Sequence, residues 1–144
     1  MDRLIKLMKI AFASEYAFVL KAQNFHWNVE GIHFEQFHAL FQTIYQEVYG
    51  AIDPFAENIR KLGAYAPAGL ERFSMLSRIS DSNTVLTAEQ MVEILVSDSD
   101  KMAKIFAMVY KEAENLGEFG LANFLAERQD AHQKHSWMLR VTLK

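Results

Sequence analysis

The sequence predicts an all-α protein, a four-helix bundle with a short extra helix in one long connection. Three observations lead there. Apolar residues recur at helical spacing over long stretches, as in Leu4, Met8, Ala11, Phe12, Val19, Ala22 and Phe25. No segment alternates convincingly with the two-residue period of a strand. The breaks fall at Gly, Pro or Asp-Ser-Asn clusters and divide the chain into four long helical runs and one short one. The chain's 144 residues match one domain, residues 1–144, able to bury roughly 70% of its unfolded surface.

The first helix is expected over residues 2–28, where Asn28-Val29-Glu30-Gly31 supplies the stop and Gly31 can take the left-handed conformation that ends many helices. The second spans about 34–62 and is closed by Gly63. Pro54 lies well inside it, lacks an N–H and crowds the carbonyl of Gly50, which predicts a kink between Gly50 and Pro54. Phe55, Ile59 and Leu62 continue the helical pattern, so a kink is favoured over a break. Residues 64–70 contain Pro67 and Gly69 and form a loop, followed by a short helix around Glu71 to Ile79 and a break at Asp81-Ser82-Asn83. Thr87 with Gln90 three residues on is a capping-box pattern that opens the third helix, which runs to about Leu116. Gly117 and Gly120 separate it from a fourth helix that continues to the C-terminus.

Composition removes several kinds of chemistry. The absence of Cys excludes disulfide scaffolds, Cys-ligated zinc, iron–sulfur clusters and thiol nucleophiles. Any metal must be held by His and carboxylate. With 15 Lys and Arg against 18 Asp and Glu, the net charge of −3 argues against a protein whose main task is gripping a phosphate backbone. Arg3, Lys6 and Lys9 form only a small basic strip. No run approaches the ~20 apolar residues of a membrane span. The N-terminal stretch does not read as a secretion signal, and the expected location is the cytoplasm.

Position must select among the five histidines and 18 carboxylates. Asp53 and Glu57, four residues apart, share a helix face about 40° from one another and can bind one cation; a solvated acidic face is the other reading. If the first two helices form an antiparallel hairpin centred near Ile32, His26 and His38 stand opposite each other, as metal ligands or as structural histidines hydrogen-bonded at a helix interface. His38 and Asp53 are ~22 Å apart along one helix at 1.5 Å per residue. One subunit cannot bring them to one ion. A two-fold-related copy with its second helix antiparallel to the first would place His26 and His38 of one chain against Asp53 and Glu57 of the other, giving two sites per dimer.

The competing arrangement is a di-iron site inside one bundle, with Glu from two helices and Glu-x-x-His from two others. Glu35-Gln36-Phe37-His38 fits one such motif, but the last helix reads Gln129-Asp130-Ala131-His132, with Gln in place of Glu. That disfavours an intrachain di-iron site. His132 and His135 then read as surface or interface histidines, and His33 as a turn residue. Tyr45 and Tyr49, one turn apart, are expected to pack in the core.

Asn24-Phe25-His26-Trp27-Asn28-Val29-Glu30-Gly31, followed by Phe34, His38, Asp53, Ala56-Glu57 and Leu62-Gly63, resembles the signature of the Dps proteins, the miniferritins named as DNA-binding proteins from starved cells. The resemblance continues into Ala88-Glu89-Gln90-Met91-Val92 and Trp137-Met138-Leu139-Arg140 and covers nearly the whole chain. It implies a ferritin-like four-helix bundle, with the short helix joining helices two and three, that assembles into a homo-oligomeric hollow dodecamer. It further implies a ferroxidase that oxidises Fe²⁺, with hydrogen peroxide as the usual oxidant and oxygen also used, and stores Fe³⁺ mineral, protecting the cell from oxidative damage. By matching position, His26, His38, Asp53 and Glu57 are the iron ligands at two-fold interfaces, with Trp27 beside the site as electron donor. Zn²⁺ is the other ion such a ligand set admits, and the sequence does not decide whether it occupies the site at rest.

Three positions depart from the family pattern. Gln42 stands where many members carry Asp, which lowers the site's negative charge and weakens a second iron position. Phe119 and Asn123 replace two acidic pore residues beside Glu114, leaving Glu118 or Glu127 to attract iron. Pro54 directly follows Asp53 and can re-aim its carboxylate. The chain shows no Lys-rich tail, so DNA binding and association with the nucleoid are weakly supported. The alternative function is a Dps-like shell or nucleoid-binding protein with weakened iron chemistry.

Overall fold

The computed structural model describes residues 1–144 and is helical throughout, without strands. Its elements are α1 (Asp2–Asn28), α2 (Phe34–Gly50), α3 (Ile52–Lys61), α4 (Leu70–Leu76), α5 (Ala88–Asn115) and α6 (Phe119–Thr142). α1 packs against α2 and α5 against α6 as two hairpins, and α1 also meets α5, α4 and α3. The short helix of the long connection, α4, lies on α1, where the Phe73 ring stacks on Tyr16 at 4.9 Å and meets Phe12 edge-on at 5.6 Å.

The helix ends follow local chemistry. Thr87 and Gln90 form the expected capping box, with the Gln90 N–H donating to Thr87 Oγ1 at 3.1 Å and the Thr87 N–H to Gln90 Oε1 at 2.9 Å. α3 and α5 both end in Schellman motifs. At the end of α5, the N–H of Gly117 reaches the carbonyl of Glu114 (3.0 Å) and that of Glu118 reaches Ala113 (2.9 Å). This needs a left-handed residue after the cap, which Gly63 (φ 89°) and Gly117 (φ 75°) provide. α1 ends at Asn28 as expected, but the stop is made by Val29, already extended two residues before Gly31. Gly120 lies inside α6, and the short helix ends at Leu76, three residues before Ile79.

The expected kink between Gly50 and Pro54 is present, and the helical run over 34–62 bends there and is divided into α2 and α3 at Ala51. Its N–H bonds to the Val48 carbonyl at 3.0 Å, a tightened turn, while φ −89° and ψ −7° keep the chain close to helical. The physical reason is Pro54. It cannot donate to the Gly50 carbonyl, and restarting the helix at Ile52 moves proline into a first turn, where a missing N–H costs little. The apolar pattern nevertheless continues across the bend. Phe55 and Ile59 are fully buried, and Phe55 contacts Phe12 (5.6 Å), Phe106 (5.9 Å) and Phe124 (5.4 Å). It thereby joins α3 to α1, α5 and α6.

Truncation of Phe55 removes a ring at this junction. Phe55→Ala should destabilise the protein by about 3–5 kcal/mol, read as a lowered denaturation midpoint; a change under ~1 kcal/mol would mean that the junction collapses around the gap.

Candidate metal centre

The α1–α2 turn brings His26 and His38 together. Their rings stack with centroids 3.7 Å apart and 14° between planes. Each ring is held by the other residue's backbone: Nδ1 of His26 donates to the His38 carbonyl at 2.7 Å, and Nδ1 of His38 to the His26 carbonyl at 2.6 Å. A carbonyl can only accept, so the proton is assigned to Nδ1 in both rings, leaving Nε2 with its lone pair. This is the tautomer a metal-binding imidazole needs, supported from behind by a carbonyl. Phe34 stacks on His38 at 4.8 Å and Tyr45 meets His26 edge-on at 5.3 Å. His26 is buried and His38 half-buried, while the neighbouring Trp27 is 64% exposed.

Asp53 and Glu57 lie exposed on α3, beyond the bend. Asp53 falls in the first turn, where the positive end of the helix dipole favours a carboxylate. Glu57, one turn later, opens onto a hollow lined by Pro54, Asn58, Arg60 and Lys61. The histidines and these carboxylates are at opposite ends of α2, and within one chain no three His, Asp or Glu side chains close on a common point that would hold a metal. Tyr45 touches the histidine pair, and Tyr49 is 57% exposed, outside the core where its spacing had placed it.

A second polar cluster lies inside the bundle. His132 and His135 are buried, so of the surface or interface places expected for them the surface is ruled out. His132 Nε2 donates to Glu15 Oε1 at 2.6 Å, and His135 Nε2 to Glu47 Oε1 at 2.7 Å. Arg128, also buried, bridges the two carboxylates: its Nε and Nη2 reach Glu15 Oε2 at 3.0 and 2.9 Å, and its Nη1 reaches Glu47 Oε2 at 2.6 Å. Burial works to raise the pKa of Glu15, but the charge and hydrogen bond of His132, and then those of Arg128, outweigh it and hold it low. In Glu47 burial again opposes, while hydrogen bonds from His135 and Arg128 and the guanidinium charge bring the pKa from 4.5 to about 2. Arg128 is pushed down by burial and raised on balance by the two glutamates. One sequence signal pointed here: Glu15 occupies a core position between Ala11 and Phe18 on α1, and such a carboxylate requires a buried partner.

A family model described as a ferritin-like domain matches residues 5–144. A DNA protection during starvation protein of Bacillus anthracis is 32% identical over 123 residues, covering 85% of this chain and 84% of that protein. The chain belongs to the Dps family of ferritin-like proteins. Dps from Staphylococcus aureus superposes with a TM-score of 0.96 at 27% identity, covering all of this chain and 97% of its own. Dps from Bacillus brevis gives 0.95 at 26% identity, with 99% and 96% covered. In this Dps chain Gln42 is half-buried on α2, one turn past His38, and Phe119 (65% exposed) and Asn123 lie at the surface at the start of α6.

The interior cluster has a pH signature. Because the folded-state pKa of Glu47 lies below its ordinary value, the stabilisation is full above pH 4.5 and is lost as pH falls toward 2. The melting temperature should therefore decline through that window, and more shallowly in Glu47→Gln; identical acid branches would assign the decline to other groups.

Proposed function

We propose that this chain is the subunit of an iron-storing cage, which oxidises Fe²⁺ at sites shared by two-fold-related copies and retains the ferric product. The histidine pair carries this reading. Two imidazoles locked by main-chain hydrogen bonds, with both Nε2 atoms free, are ligands awaiting an ion. Asp53 and Glu57 are exposed and follow His38 by ~22 and ~28 Å of helix, so in this reading they serve a partner's histidines rather than their own. Two neutral imidazoles and two carboxylates balance one divalent ion and favour its ferric form, since hard oxygen donors stabilise the higher charge.

In the proposed reaction two ferrous ions each give up one electron to a hydrogen peroxide molecule, whose O–O bond breaks. With two protons the oxygens leave as two waters. Oxygen serves as the alternative oxidant. Gln42 contributes no charge, so one iron position is strong and the second weak. Trp27 stands next to His26 at the surface, positioned to supply an electron when only one iron is bound. The family assignment and the name of the Bacillus anthracis relative fit protection against damage, with iron removal as its chemical means.

Metal-free assembled protein should take up Fe²⁺ anaerobically and form ferric absorbance on adding peroxide. His26→Ala and Asp53→Ala should each slow this about tenfold or more, the range lost when even outer-shell support of a metal is removed, with assembly size unchanged. Co-assembling the two variants distinguishes a shared site from an intrachain one. Random pairing leaves about a quarter of the sites with all four ligands, so about a quarter of the parent rate should return. No recovery would overturn the shared-site assignment, and parent rates in both single variants would overturn the ligands.

A further inference from the structure

Inside the bundle, four side chains of metal-ligand type surround one that is itself a cation. Glu15 comes from α1, Glu47 from α2, and His132 and His135 from α6, the helix that also supplies Arg128. Both carboxylates reach the same guanidinium nitrogen, Nη2, from Glu15 Oε2 at 2.9 Å and from Glu47 Oε1 at 3.2 Å. Each carboxylate is also hydrogen-bonded to one imidazole. Two carboxylates thus face a single permanent positive charge. A buried ion pair of this kind adds little stability over an apolar core of equal volume, because desolvation offsets the attraction. Stability alone therefore does not account for five polar groups here. His132 also carries a buried Nδ1 without a hydrogen-bond partner, so its ring is not fully used by the network.

The donor set of two imidazoles and two carboxylates is one that binds Zn²⁺, Co²⁺ or Fe²⁺. With the guanidinium in place, no three of these groups close on a common point. We infer that the bundle interior is a divalent-cation site held shut by Arg128, whose guanidinium stands where a metal ion would lie between Glu15 and Glu47. Replacing this side chain by a small neutral one opens an intrachain site of Glu15, Glu47, His132 and His135. In the native chain the arginine keeps ferrous ion out of the interior, confining metal to the outer surface. The inference does not depend on the exterior ligands proposed above.

The test uses Co²⁺ on the full-length chain in a His26→Ala background, so that failure of the exterior site does not affect the result. Arg128→Ala in that background should bind one further Co²⁺ per chain, with ligand-field absorption absent from the Arg128 parent. Its melting temperature should rise on adding Co²⁺ while the parent's does not. Arg128→Lys retains a cation and should gain no site. Adding His132→Ala to Arg128→Ala should abolish the new absorption, and absorption that survives would overturn the assignment. A purely structural arginine predicts that Arg128→Ala loses stability that Co²⁺ does not restore. Should Arg128→Ala fail to fold, Arg128→Ser offers a second small neutral side chain that also clears the space between Glu15 and Glu47, and both are refolded with and without Co²⁺. Recovery only with Co²⁺ supports the site; no folding or no extra Co²⁺ in either variant overturns it.

Discussion

A guanidinium taken out of water among packed helices must be met by carboxylates at hydrogen-bonding distance, or the fold loses far more than one side chain contributes. In this protein that requirement is met from two other helices at once, Glu15 on α1 and Glu47 on α2. The demand is geometric as well as electrostatic. A shift of α6 by one turn, ~5.4 Å, would leave Arg128, His132 and His135 without partners, so the cluster fixes the registers of α1, α2 and α6 together. Apolar packing tolerates small slides of a helix; this arrangement does not.

The α1–α2 register is set independently at the far end of the hairpin. There each histidine ring donates to the other residue's carbonyl, so that the turn from Val29 to His33 is spanned by two short hydrogen bonds. Between these anchors the fully buried Phe41, Ile44 and Val48 fill the α2 side of the core. Past them the chain bends at Ala51, which returns Phe55 to the shared core while Asp53 and Glu57 remain in solvent. One proline thus separates a helix that faces its own bundle from a carboxylate face directed outward.

Much of this was legible in the sequence because it is local. The first helix, the capping box at Thr87 and the glycine stop at Gly117 each depend on residues within a turn or two of one another. The pairing of His26 and His38 followed from the centre of one hairpin. The interior cluster was not legible in this way. His132 and Glu15 are 117 residues apart in sequence, and a helix face bearing Arg128, His132 and His135 has the same spacing whether it meets water or buried carboxylates. The bend at Ala51 was legible from a single residue, the absent N–H of Pro54; apolar periodicity continues across it and does not register that the ladder is interrupted there. The carboxylates Asp53 and Glu57 lie intermediate, since their common exposed face followed from their spacing while nothing within the chain completes a site around them.

The clasp between the two histidines relies on peptide carbonyls for its outer support. Side-chain supports are lost when a residue changes; a carbonyl is present whatever amino acid stands at the position. Substitutions around the turn can therefore accumulate while the two imidazoles keep their orientation and tautomer, provided the backbone path is retained. A histidine pair held by the main chain depends on the backbone path rather than on the side chains around it.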